Sequence, residues 1–234
     1  MRAMSSGNRK RWLVAAVVLA VALVVGGPFV YINLIQGDAP DRLDVATDQA
    51  AADTTGGSVS GSLDGTWTAG SGSQAGYRVK EVLLGQNTEA VGRTTAVTGQ
   101  LTVSGTQVTG GSFTVDLTKV TSDEQRRDSQ FQGRIMDTAT YPTATFKLVQ
   151  PITLGSLPAD GVTVTATASG ELTVHGTTKP VTVQVTAQRS GDSFKVSGAI
   201  PVTFADYAIP NPSFGPVTTE DHGEIEFLLA FTRT

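Results

Sequence analysis

The chain has 234 residues and a formal net charge of −4, and it contains no cysteine. Disulfides, thiolate metal centres and a lipid-modified cysteine anchor are therefore excluded. Four of the 17 basic residues (Arg2, Arg9, Lys10, Arg11) precede a long apolar run and all 21 acidic residues follow it. So acidic a body argues against phosphate-backbone binding, and no nucleic-acid partner is expected.

Residues 1–11 form a basic N-terminus. Trp12 to Ile35, WLVAAVVLAVALVVGGPFVYINLI, runs for about 24 residues without a charge. At about 1.5 Å per residue it is long enough for a hydrocarbon core of about 30 Å. Arg9-Lys10-Arg11 lie before it and Asp38 and Asp41 after it. The positive-inside rule then predicts a single-pass cell-membrane protein with a cytoplasmic N-terminus and an extracytoplasmic body. A cleaved secretory signal is the alternative. No convincing A-x-A-like site closely follows the apolar run and Pro28 and Pro40 crowd the region, so a retained anchor is expected. Residues 36–62 are rich in Asp, Ala, Thr, Gly and Ser, and read as a flexible tether with an r.m.s. span of roughly 30 Å.

From residue 63 to 234 the hydrophobic period is two. Ala75, Tyr77 and Val79 share a face, as do Val97, Gly99, Leu101 and Val103, then Phe113, Val115 and Leu117, and then Ala144, Phe146 and Leu148. Val162, Val164, Ala166 and Ala168 continue the pattern, followed by Leu172 and Val174. Val181 to Ala187, Phe194 to Gly198 and Ile225 to Phe231 complete it. Polar residues fill most alternate positions, which is the pattern of antiparallel strands with one face buried. Turn signals at Ser104-Gly105, Gly155 to Gly161, His175-Gly176 and Ser190 to Ser193 separate the runs. Eight or nine strands suit a closed up-and-down barrel just wide enough for one ligand, with a two-sheet sandwich as the alternative. Inward Gly99, Ala166, Ala168 and Gly198 suggest internal space. One stretch departs from this period. Ser122-Asp-Glu-Gln125 has capping-box spacing and Phe131 and Ile135 are four apart, predicting a short helix or helical loop over 122–136 that could lie across one barrel end.

Four ordered motifs resemble the YceI family of lipocalin-like barrels: Ser122-Asp123 with Arg127-Asp128; Tyr141-Pro142 to Phe146; Gly170 to Val181, which contains His175-Gly176 and Lys179-Pro180; and the closing Gly223 to Phe227. Gly65-Thr-Trp67, Gly76 to Val79 and Val91 to Thr94 are similar to the actinobacterial branch, whose members often follow an N-terminal anchor. The resemblance implies an all-β, eight-stranded antiparallel barrel with a hydrophobic tunnel for an isoprenoid chain, in some members with a quinone-like head. Where other members often carry a His-Ser pair and a second His, this chain has Ser73-Gln74 and Val79-Lys80, so no histidine head-group contact carries over.

Tyr77, Val79, Phe113, Val115, Phe131, Ile135, Phe146, Val164, Leu172, Phe204, Tyr207 and Phe227 are the candidate tunnel lining. Arg127, Asp128, Tyr141, Pro142, His175 and Gly176 are read as structural. An Arg–Asp pair would fix the helical loop to the barrel, Tyr141-Pro142 would turn a strand entry, and His175 would be a turn histidine bonded to nearby backbone. His222 is expected in solvent. No Gly-x-Ser-x-Gly elbow or phosphate loop occurs and His175 is the one plausible base, so no enzyme activity, metal or cofactor is expected. The expected partners are an isoprenoid-type lipid or quinone and the membrane, with any protein partner unknown. A ligand-free barrel that binds an envelope partner through the Pro-rich loop Tyr207 to Phe214 is the alternative, with Ile209 and Phe214 as its contacts.

Overall fold

The computed structural model describes residues 39–45, 62–83, 85–154 and 159–234, together with Ala16. Apart from Ala16, the predicted anchor Trp12–Ile35 lies outside the described residues. Among the described residues no helix is long and apolar enough to cross a membrane.

Thirteen strands are described: β1 (Gly65–Ala69), β2 (Gln74–Leu83), β3 (Gln86–Thr94), β4 (Val97–Ser104), β5 (Gln107–Asp116), β6 (Thr121–Ser122), β7 (Thr143–Leu148), β8 (Ile152–Thr153), β9 (Thr163–Val174), β10 (Thr177–Ser190), β11 (Ser193–Thr203), β12 (Val217–Thr219) and β13 (His222–Arg233). The order β1-β4-β5-β7-β9-β10-β11-β13 returns to β1 through Trp67↔Arg233 and Ala69↔Phe231, with every pairing antiparallel. An eight-stranded ring closed in this way rules out the two-sheet sandwich.

Two of the eight positions are long broken strands. β13 pairs with β1 near its C-terminus and with β2 near its N-terminus, where Tyr77 faces Ile225. Between β1 and β2 the ladder is interrupted at residues 70–73. Ser73 is almost wholly buried there, and its Oγ accepts from the Ala230 N–H at 3.0 Å. The hydroxyl replaces a ladder bond that the kink removes. β3 and β4 break at Thr95-Ala96 in the same way. β4 pairs with β5, whereas β3 pairs with β2 and the short β6.

One barrel end carries the β4–β5 and β10–β11 hairpins, and the other carries the β2–β3 and β9–β10 hairpins. We call them the lower and upper ends. At the upper end a 3₁₀ turn (Leu117–Lys119) lies beside β3 and β7, and helix α1 (Gln125–Gln130), which packs on β6, continues into a π-helical turn (Phe131–Ile135). The predicted helix over 122–136 is thus present as two shorter pieces. Its N-cap is Glu124, whose side chain accepts from the Arg126 N–H, and Ser122 is not the cap. Ser122 is held by Asp128, which accepts from its backbone N–H at 2.8 Å and its Oγ at 2.7 Å. The carboxylate wins because it satisfies two donors at once.

Period-two alternation sorts the apolar wall residues as expected, with two exceptions. Val162 precedes β9 and is half exposed. Gly99 and Gly198 do not open space. A Cβ on Gly99 would lie 2.4 Å from the Phe113 ring and one on Gly198 would lie 2.7 Å from Phe227. Each glycine is a recess filled by the ring of its cross-strand partner. The apolar interior forms two clusters. The lower one includes Trp67, Leu101, Leu229 and Phe231 and the upper one Val79, Phe131, Leu172, Val202 and Phe204.

Residues 39–45, part of the expected tether, run across the outer face of the barrel. Val45 is 1% exposed, and its N–H bonds Ser197 Oγ on β11 at 3.2 Å. Arg42 pairs with Glu224 on β13, Pro40 O accepts from Arg78 Nη2 at 2.6 Å, and Asp41 O accepts from Arg93. Polar composition concealed this packing because the wall it meets is itself polar.

Candidate ligand-binding cavity

Two cavities lie along the barrel interior. The upper has a volume of about 440 Å³ and the lower about 180 Å³, and both are lined by Ala75, Val115, Ala144 and Ile225, where they meet. Tyr77, Val79, Val115, Phe131, Ile135 and Phe204 line the upper cavity. Phe113, Val115, Phe146, Val164, Leu172 and Phe227 line the lower, as do Ala166 and Ala168. Tyr207 lines neither. It is packed in the upper core on a 3₁₀ turn that ends at Ala208. Alternation put Tyr207 indoors correctly but could not tell a cavity wall from filled core.

The upper mouth is organised around Tyr77 and Phe131, which stack at 5.0 Å with ring planes 16° apart. Tyr77 fits because its cross-strand neighbour is Gly92, where a Cβ would lie 2.4 Å from the ring. Burial pushes the Tyr77 phenol far above its ordinary pKa, against a weaker opposing pull from Arg127. Glu81 continues the inward register of Ala75, Tyr77 and Val79. This buried carboxylate accepts from Thr88 Oγ1 at 3.2 Å and from Arg127 at 3.4 Å. Arg127 also pairs with Asp123. Arg127 and Asp128 therefore both pin the helical segment, but to different partners and not to each other. Helical geometry points adjacent side chains in different directions.

His175-Gly176 is the two-residue turn of the β9–β10 hairpin, with φ values of 48° and 73°. Both are positive, as a primed hairpin turn requires. The expected hydrogen bond from the His175 ring to nearby backbone is absent. Its buried Nδ1 has no partner among the described residues, and the ring rests against Tyr141 at 4.6 Å. Tyr141 also covers Gly176, where a Cβ would lie 2.6 Å from its ring. Pro142 O accepts from the Leu117 N–H at 2.8 Å, one residue before β7 begins. These four residues form one corner. His222 is in solvent, with Nδ1 2.8 Å from Asp221. Ile209 is buried and Phe214 is half exposed, so the Pro-rich loop presents only one of its two expected contacts. Among the described residues no cluster of three or more potential metal ligands occurs.

Two charged features escaped sequence reasoning. Arg78, on the outward register of β2, is nonetheless buried. Its Nε lies 3.3 Å from Glu226 and its Nη1 2.6 Å from Glu89, while Arg93 bonds Glu226 through Nε at 2.8 Å and Nη2 at 2.7 Å. The strap of residues 39–45 completes this cluster. The other feature is Arg189, on the inward register of Val183, Val185 and Ala187, which lines the lower cavity and is 7% exposed. Following the alternation two residues beyond Ala187 would have found it.

A closed antiparallel barrel with an apolar interior, open beneath a short helical cap, is a ligand-enclosing architecture. Residues 67–231 match the YceI-like domain model, and the chain belongs to that family. A polyisoprenoid-binding domain from Saccharophagus degradans implicated in plant cell wall breakdown superposes with a TM-score of 0.58 at 16% identity, over 73% of this chain and 99% of that one. BcnA of Burkholderia cenocepacia gives 0.51 at 21% identity, over 66% and 95%. At such identities the likeness is one of fold. No curated protein matches the sequence.

Proposed function

We propose that the protein is a membrane-anchored, extracytoplasmic binding protein that holds an apolar isoprenoid-type lipid, polyprenyl or quinone-like, along its barrel. The observation that carries this reading is the pair of adjoining, largely apolar cavities of about 440 and 180 Å³ within a closed barrel. The larger falls in the ordinary range for small-molecule sites, roughly 300–1,000 Å³, and the smaller adjoins it. Each ligand CH₂ buried there contributes about 0.8 kcal/mol, so a prenyl chain binds without a dense set of polar contacts. Family membership and the polyisoprenoid-binding description of the Saccharophagus degradans domain support the same ligand class. The charge asymmetry around Trp12–Ile35 supports the anchor and an extracytoplasmic barrel.

Organic extraction of the purified full chain followed by mass spectrometry is expected to release a prenylated lipid. Ala166→Phe, which fills the lower cavity, should reduce lipid occupancy at least tenfold with an unchanged melting temperature. Finding no co-purifying lipid, and no uptake of added farnesol or menaquinone-4, would refute the reading. For topology, Gln184→Cys gives a single exposed thiol in a cysteine-free chain. A membrane-impermeant maleimide should label it in intact cells; labelling only after lysis would place the barrel inside.

A further inference from the structure

We infer that Arg189 makes the lower end of the barrel a head-group site, so that the preferred ligand is an amphiphile with one anionic oxyanion head, phosphate or carboxylate, seated there with its apolar chain running towards the upper mouth. This rests on the apolar-ligand reading above and extends it to the ligand's polarity and direction.

Among the described residues lining the lower cavity, Thr145 and Arg189 are the two with polar side chains, and Thr145 lies between the inward Ala144 and Phe146. Arg189 is 93% removed from solvent, taking its 7% exposure as the remainder. Its one side-chain hydrogen bond among the described residues is from Nε to Gly191 O at 2.9 Å, in its own hairpin turn. Asp160, which bridges to Arg189 through the backbone, spends a carboxylate oxygen on the Gly191 N–H at 2.7 Å. No carboxylate among the described residues lies within ion-pairing distance of the guanidinium.

Guanidinium does not lose its proton in proteins, so burial cannot neutralise Arg189. A buried cation without a counter-ion is costly, and the chain meets this elsewhere by pairing, as Arg78 and Arg93 do with Glu226. The two Nη groups of Arg189 form half of the planar fork that binds carboxylate or phosphate through two oxygens. The upper mouth is different: Arg127 there is already paired with Glu81 and Asp123, and Arg126, which also lines that cavity, is exposed to solvent.

The test is competitive native mass spectrometry of the full chain in nonionic detergent, with equimolar farnesol, farnesyl phosphate and palmitate. A charge-assisted hydrogen bond in a dry site predicts at least a tenfold preference for farnesyl phosphate over farnesol. Palmitate outcompeting farnesyl phosphate would assign the head as carboxylate, and the reverse as phosphate; either supports the site. Arg189→Met should abolish the preference, Arg189→Lys should keep part of it, and Arg126→Gln at the upper mouth should keep all of it. Equal binding of alcohol and anions by wild type would overturn the assignment, and this comparison stands even if Arg189→Met misfolds. Preference surviving in Arg189→Met, or lost in Arg126→Gln, would overturn it too. In each of those cases farnesol is still held and the apolar-ligand reading survives. Binding of none of the three overturns both.

Discussion

Replacing Glu226 with Ala removes the centre of the buried charge cluster on the outer wall. Glu226 is 2% exposed and accepts three hydrogen bonds, one from Arg78 and two from Arg93. Without it the cluster holds two guanidinium groups against the single carboxylate of Glu89, and Arg93 retains only the Asp41 carbonyl among its described partners. Breaking a buried pair by removing one partner costs about 3–5 kcal/mol, because the remaining charge stays desolvated. For a barrel of this size that corresponds to a fall in melting temperature of roughly 6–20 °C, at about 2–4 °C per kcal/mol. Thermal and urea unfolding of the full chain and the Glu226→Ala variant measure it. The same substitution in a chain lacking residues 39–45 should cost less, since water then reaches the guanidinium groups. A loss below about 1 kcal/mol in the intact chain, the range of exposed pairs, would refute the claim that the cluster is sealed.

Gly198→Ala should destabilise the barrel by about 1–3 kcal/mol in urea unfolding, because its Cβ would meet Phe227 at 2.7 Å and the Gln184 carbonyl at 3.0 Å. Burial holds the Tyr77 phenol protonated, so Tyr77→Phe should leave the tyrosinate absorbance at 295 nm unchanged up to about pH 11. The sign follows from linkage: the contribution is full below the unfolded value of about 10 and fades as pH rises above it, when the unfolded chain ionises and the folded one does not. The hydrogen bond to Asp221 raises the pKa of exposed His222 above 6.5, favouring the charged ring below that pH and losing the effect as pH climbs through the folded value. Asp221→Asn should move the His222 titration, followed by NMR, back towards the ordinary range; no movement would remove Asp221 as the cause.

Strands were legible in this sequence because one side of each faces oil-like interior and the other water, and that contrast repeats every second residue. The same rule failed wherever the outer face was covered. Arg78 and Glu226 occupy outward positions and read as solvated charges, yet both are buried. Their concealment depends on residues 39–45, more than 30 positions upstream of Arg78, and no local period encodes it. Inward glycines misled for a related reason, since a missing side chain marks either space or the seat of a neighbour's ring, and Gly99 and Gly198 are the latter. The inward register was legible, from Tyr77 and Val79 to Val164 and Leu172. Which inward residues line a cavity and which, like Tyr207, fill the core needed coordinates. Arg127 and Asp128 were recognised as structural, but the choice of Glu81 and Ser122 as their partners is set by how the helical segment lands on β2 and β6.

The strap also redraws where the folding unit begins. A truncation at Leu63 retains every barrel strand but strips the carbonyls of Pro40 and Asp41 from two guanidinium groups, so a fragment cut by strand boundaries would be born with a leak in its side wall.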